Sequence, residues 1–177
     1  MRILLVDHRD SFTRNLEHLL ARAAGSAPEI VPCFGFRPRD ADAFDLTVLS
    51  PGPGHPREHT GYGPLLESGR PVLGVCLGLQ IINLHFGGAV ERLPGCVHGR
   101  AGRFRFLGRE IEAGRYHSLH LSRMAPDLEL LAQQDGIPMA ARHCRLPVAG
   151  VQFHPESFLT PQGPEILHDL FQLVLPR

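Results

Sequence analysis

Pro71-Val72-Leu73-Gly74-Val75-Cys76-Leu77-Gly78-Leu79-Gln80 changes character at Cys76. Residues 72–75 are a short apolar run, the pattern of a strand buried on both faces. From residue 77 to residue 86 the apolar residues continue in a helical pattern. Cys76 therefore stands where a strand passes directly into a helix. The local form Gly74-x-Cys76-x-Gly78 is the cysteine version of a nucleophile elbow, a sharp turn that lifts a reactive side chain out of the backbone. Small residues two before and two after are required because larger side chains would collide in so cramped a turn. The unpaired N–H groups and the positive dipole end of the following helix favour a thiolate. A lone cysteine at a strand end also reads as a buried structural residue, so the rest of the chain has to decide.

Outward from this point the chain alternates strand and helix. Residues 3–6 form a continuous apolar run, residues 30–34 a second strand interrupted by Pro32, and residues 46–49 a third. A helix with Leu16, Leu19 and Leu20 on one face lies between the first two, with Ser11 as its expected cap and its end near Gly25. Residues 35–45 are a polar connection, and residues 61–66 begin a short helix. This order predicts an α/β fold with a doubly wound, mostly parallel sheet flanked by helices. From residue 89 to residue 120 short β-like pieces separated by glycine predict a small antiparallel addition. Residues 127–133, 139–142 and 148–153 predict further strands, and residues 164–175 a last helix with Ile166, Leu167, Leu170, Phe171 and Val174 inward. There is no repeat, low-complexity segment or linker, so residues 1–177 are expected to form a single domain.

Composition narrows the function. Hydrophobic residues make up 43% of 177, enough for an independent core. Net charge is zero with histidine neutral, which provides no field for nucleic acid or an anionic membrane. The alternating Arg103-Phe104-Arg105-Phe106 reads as one polar and one packed strand face and not as a single-strand nucleic-acid platform. All 18 basic residues are arginine, which excludes a lysine base or Schiff base. Four cysteines at irregular spacing, with no C-x-x-C, read as reduced thiols of a cytoplasmic protein, with Cys33, Cys96 and Cys144 in core or loop. The first apolar run is too short for a signal peptide, and no run reaches transmembrane length. The 11 histidines have no metal-ligand spacing, and His55 and His59 read as loop residues, so neither metal nor cofactor is expected.

Two further stretches supply chemistry. Ser50-Pro51-Gly52-Pro53-Gly54 follows the third strand directly and can continue neither as strand nor as helix. It forms a stiff loop at the carboxyl end of the sheet, where ligands of open α/β folds bind. Gly150-Val151-Gln152-Phe153-His154-Pro155-Glu156-Ser157 sets His154 and Glu156 two apart, with Pro155 holding His154 extended, so both side chains can share one side. One ring nitrogen of His154 can then take the Cys76 proton while Glu156 holds the other.

On these residues the chain resembles the class I (triad-type) glutamine amidotransferases, and most of all the small subunits of anthranilate synthase and aminodeoxychorismate synthase. The shared residues run nearly end to end: Asp10-Ser11-Phe12-Thr13 with Asn15, residues 50–54, residues 73–78 with Gln80, Phe86-Gly87-Gly88, His98-Gly99-Arg100, Arg115-Tyr116-His117-Ser118-Leu119, and residues 150–157. The Asp-Ser-Phe-Thr and Tyr-His-Ser-Leu stretches point to the chorismate-linked branch. Leu79 stands where that branch usually has histidine, and Arg14 where it usually has an aromatic residue.

The resemblance implies a flavodoxin-like class I amidotransferase fold and a Cys76-His154-Glu156 triad hydrolysing glutamine to glutamate. It implies an oxyanion site made by the backbone N–H groups of Leu77, next to Cys76, and of Gly54, in the loop containing Gly52. Gln80 and the Ser118-Leu119 backbone would hold the glutamine α-groups. Ammonia would pass to a chorismate-binding large subunit in a hetero-oligomer. The alternatives are the glutaminase subunit of another class I amidotransferase, a γ-glutamyl hydrolase, and a non-catalytic interaction subunit.

Overall fold

The structure, a computed structural model, describes residues 1–175; residues 176–177 of the expected domain span lie outside the described residues. In chain order the first half contains β1 (Ile3–Asp7), α1 (Thr13–Ala24), β2 (Glu29–Pro32), β3 (Leu46–Leu49), α2 (Gly63–Leu66), β4 (Val72–Val75) and α3 (Leu77–His85). The second half contains β5 (Ala89–Phe106), β6 (Arg109–Arg123), β7 (Leu128–Gln134), β8 (Ile137–His143), β9 (Val148–Val151) and α4 (Gly163–Val174). Short 3-10 turns at Cys33–Gly35, Pro38–Ala43 and Pro56–Glu58 occupy the connections.

Among the described residues, seven strands form one sheet in the order β2-β1-β3-β4-β9-β8-β7, and β5 and β6 form a separate pair. Strands β2, β1, β3, β4 and β9 are parallel, while β8 and β7 close one edge antiparallel. The continuous apolar runs are explained by burial on both faces. Ile3 and Leu5 share one core cluster with Leu16 and Leu20 of α1 and Leu170 of α4, whereas Leu4 and Val6 share another with Leu65 and Leu66 of α2 and Leu79 and Ile82 of α3. This is the doubly wound arrangement that the alternation of elements predicts, and it brings the carboxyl ends of β1, β3, β4 and β9 to one edge. No helix of the described residues is long and apolar enough to cross a membrane.

Two local expectations are corrected. Ser11 does not cap α1: Phe12 occupies the cap position without a side-chain bond. Asp10 Oδ1 instead accepts from the Phe12 N–H at 2.7 Å, and Asp7 Oδ1 accepts from Thr13 Oγ1 at 2.8 Å. Carboxylates outcompete a hydroxyl because charge-assisted bonds are stronger. The expected short pieces between residues 89 and 120 are two long strands of 18 and 15 residues. Gly95 and Gly99, at φ 76° and 67°, lie where the pairing register shifts, so these glycines mark bulges and not strand ends.

Candidate active site

Cys76 closes β4 and begins α3 with φ 53° and ψ −101°, a left-handed backbone that side chains rarely adopt. The turn is held from both sides. The Cys76 N–H donates to the Val151 carbonyl of β9 at 2.7 Å. A β-carbon at position 74 would lie 2.5 Å from the Gly78 carbonyl carbon, and one at position 78 would lie 2.4 Å from the Leu49 carbonyl oxygen. The two glycines of the elbow are thus dictated by backbone packing. The cysteine itself is only 7% exposed.

His154 reaches this edge from the end of β9. Its N–H donates to the Gly114 carbonyl at 3.0 Å, an isolated bridge that keeps the residue extended, as Pro155 requires. Thr160 ties the same junction, accepting from the Gly114 N–H at 2.9 Å and donating to the His154 carbonyl at 2.7 Å. His154 Nδ1 bonds Glu156 Oε1 at 2.7 Å with both side chains buried. Nε2 is buried and has no hydrogen-bond partner. Burial lowers the proton affinity of His154, but the Cys76 sulfur and then the Glu156 carboxylate outweigh it, and the pKa rises well above 6.5. Tyr116 meets the imidazole edge-on at 5.1 Å between ring centres, and Phe12 packs on both at 4.8 and 5.5 Å. Tyr116 Oη is also 3.0 Å from Ser157 Oγ. The aromatic residues of two sequence motifs therefore cover the histidine.

The Pro-Gly loop lies directly on the elbow. A β-carbon at Gly52 would be 2.5 Å from His8 Cβ and 2.8 Å from Leu77 Cδ2, and Gly54 has φ 86°. Beneath it is a network that the sequence does not announce. Ser50 Oγ donates to the Pro51 carbonyl at 2.6 Å and accepts from the His8 N–H at 2.8 Å. With that proton committed, the 3.2 Å contact to His8 Nδ1 makes Nδ1 the protonated nitrogen, and Nε2 accepts from Tyr62 Oη at 2.8 Å. Burial, then the neighbouring His59, pushes His8 down to about 4, consistent with this neutral tautomer.

Gln80 and Leu119, named from the sequence as holding the α-groups, come together: Gln80 Nε2 donates to the Leu119 carbonyl at 3.1 Å. Ser118 is exposed, opposite the unpaired residues 93–96 of β5, where the ladder opens between Arg92 and Val97. His117, in the stretch quoted from the sequence, has Nδ1 2.9 Å from the Leu119 carbonyl. One residue of the site escapes the sequence reading: Gln152 Nε2 donates to Cys76 Sγ at 3.5 Å. Gln152 sits inside the quoted His154 stretch, but at a strand end it reads as strand pattern. No group of metal-ligating side chains occurs among the described residues.

An edge formed by a cysteine elbow, a buried His-Glu pair and a Pro-Gly loop is suited to acyl transfer through a thiol. The profile of the class-I glutamine amidotransferases matches residues 4–173, and the chain belongs to that family. It is 47% identical to an aminodeoxychorismate synthase of Streptomyces griseus over 94% of its own length but 25% of that protein. It is 43% identical to an anthranilate synthase of Azospirillum brasilense over 92% of its length and 24% of that protein. The chain therefore spans about a quarter of these long relatives. Against anthranilate synthase component 2 of Thermococcus kodakarensis it is 40% identical, covering 89% of this chain and 88% of that one. The crystal structure of a protein described as a GMP synthase subunit, from Thermoplasma acidophilum, matches with a TM-score of 0.86 over 98% of this chain and 94% of that one, at 25% identity.

Proposed function

We propose that residues 1–177 are one glutamine amidotransferase domain that hydrolyses glutamine and supplies ammonia to a chorismate-binding synthase subunit. The observation that carries the reading is Cys76, strained at φ 53° at the edge reached by the buried His154–Glu156 pair. His154 Nε2 takes the Cys76 proton, and the sulfur attacks the side-chain amide carbon of glutamine. The developing oxyanion is held by backbone N–H groups of Leu77 and Gly54; one such donor is worth about 10²–10³ in turnover. The imidazolium returns its proton to the amide nitrogen, the C–N bond breaks, and ammonia leaves a γ-glutamyl thioester. His154 then takes a proton from water, the resulting hydroxide attacks the thioester, and glutamate departs as the sulfur regains its electron pair. Glu156 keeps the ring oriented and balances its positive charge throughout.

The chorismate-linked assignment rests on the relatives at 40–47% identity, whose names are anthranilate and aminodeoxychorismate synthases. The test is glutamate release from glutamine by the chain alone and with a co-expressed chorismate-binding subunit, beside Cys76→Ala. Release that needs Cys76 and rises with the partner supports the reading. Identical traces from both proteins with every partner would sink it. Release stimulated only by a purine-nucleotide synthase would move the partner to another branch.

A further inference from the structure

We infer that Gln152 is a positioning residue for the nucleophile: the Leu119 carbonyl, acting through Gln80, orients the Gln152 amide so that it aims an N–H at Cys76 Sγ. This rests on the reading of Cys76 as the nucleophile. The direction of each bond follows from one atom. A backbone carbonyl only accepts, so the group of Gln80 lying 3.1 Å from the Leu119 oxygen is its nitrogen. That same nitrogen lies 3.1 Å from the Gln152 amide, which must therefore present its oxygen. The other end of Gln152, at 3.5 Å from Sγ, is then the NH2 group, a donor with no capacity to accept.

The Leu119 carbonyl accepts from a second donor. Arg115 Nε, which can only donate, bonds His117 Nε2 at 3.1 Å, which places the His117 proton on Nδ1 facing the Leu119 carbonyl at 2.9 Å. Both donors thus converge on one carbonyl. Gln152 is 0% exposed and Gln80 is 3% exposed, so neither amide can turn over without leaving a buried group unpaired. The Gln152 backbone is fixed as well, its main-chain N–H donating to the Met139 carbonyl at 2.8 Å. An N–H facing sulfur is best satisfied once the sulfur carries the charge left when His154 takes its proton. The chain of amides also joins the candidate α-group pocket at Leu119 to the reacting atom.

The experiment uses the full chain, with L-glutamine as substrate and iodoacetamide as the sulfur probe. Alkylation is read at the Cys76 peptide, because Cys33, Cys96 and Cys144 are also free thiols. Gln152→Met should lower kcat and the Cys76 alkylation rate together by about tenfold to a hundredfold, the worth of one bond to a charged group, while leaving KM within about twofold. Gln152→Glu, which keeps the acceptor for Gln80 and loses the donor, should fall at least as far. In the substrate-free readout, the Cys76 alkylation rate of the double variant with Gln80→Met should be no lower than that of Gln152→Met alone, since the two amides act in series. A folded Gln152→Met protein that alkylates and turns over like wild type overturns the inference. If the variants fail to fold, the Gln152 side-chain amide signals of unsubstituted protein decide: they must move on alkylation of Cys76, and unmoved signals overturn it. Loss of alkylation in Gln152→Met without any Cys76-dependent glutamate release would leave the positioning intact and remove the proposed function.

Discussion

Cys76, His154 and Glu156 are legible as candidates in combination, because each stands in a local spacing that is ambiguous alone and points to one chemistry when taken with the others. The first needs small neighbours at two before and two after; the other two need only a separation of two and a proline between them. Glu156→Gln tests the pair most cleanly, since it keeps the shape and removes the charge facing Nδ1 at 2.7 Å. Glutaminase kcat should fall by about 10²–10⁴ with little change in KM, measured at steady state. Gln152 and His8 are not legible in this way. Gln152 bonds residues 72 and 76 positions away, and His8 bonds Ser50 and Tyr62, 42 and 54 positions away. No local pattern marks a hydrogen bond made at such range. Leu79 also gains a reason here: it is fully buried, and a β-carbon at Gly150 would come within 3.1 Å of its side chain.

At the scale of elements, the passage from β4 to α3 is a steric device as much as a chemical one. The backbone crossing at Gly78 leaves no room for a methyl group against the Leu49 carbonyl. Gly78→Ala should cost about 2–3 kcal/mol of unfolding free energy, read by urea denaturation, because β3 and α3 must separate. It should also slow glutamine hydrolysis, since the same crossing sets the angle of the Cys76 backbone. In sequence the hairpin of β5 and β6 reads as fragments because its glycines look like breaks. They absorb register shifts instead, and one such shift opens the ladder opposite Ser118. The cap of α1 departs from expectation for a related reason: Asp10 and Asp7 offer charged acceptors close to the hydroxyl that sequence preference favours.

For the whole molecule, two of the buried histidines predict sensitivity to acid. Burial is the main force that pushes His8 and His117 down to about 4 from 6.5. Between these values the unfolded chain binds protons that the folded chain refuses, so stability falls as pH drops through the window. Each histidine accounts for on the order of 3 kcal/mol at most across it. Unfolding free energies from pH 7 to pH 4 should show this slope, and His8→Gln or His117→Gln should each flatten it; an unchanged slope in both would refute the assignment. The α/β class, the order of the elements, the elbow and the His-Glu pair can all be read from the chain alone, because hydrophobic period, turn chemistry and close side-chain spacing are local properties. Which side chains hold those groups in place is settled at the tertiary level. The Ser50-His8-Tyr62 network beneath the loop and the Leu119-Gln80-Gln152 chain to Cys76 join residues far apart in sequence, and their donors and acceptors acquire direction only when packing brings them together and excludes water.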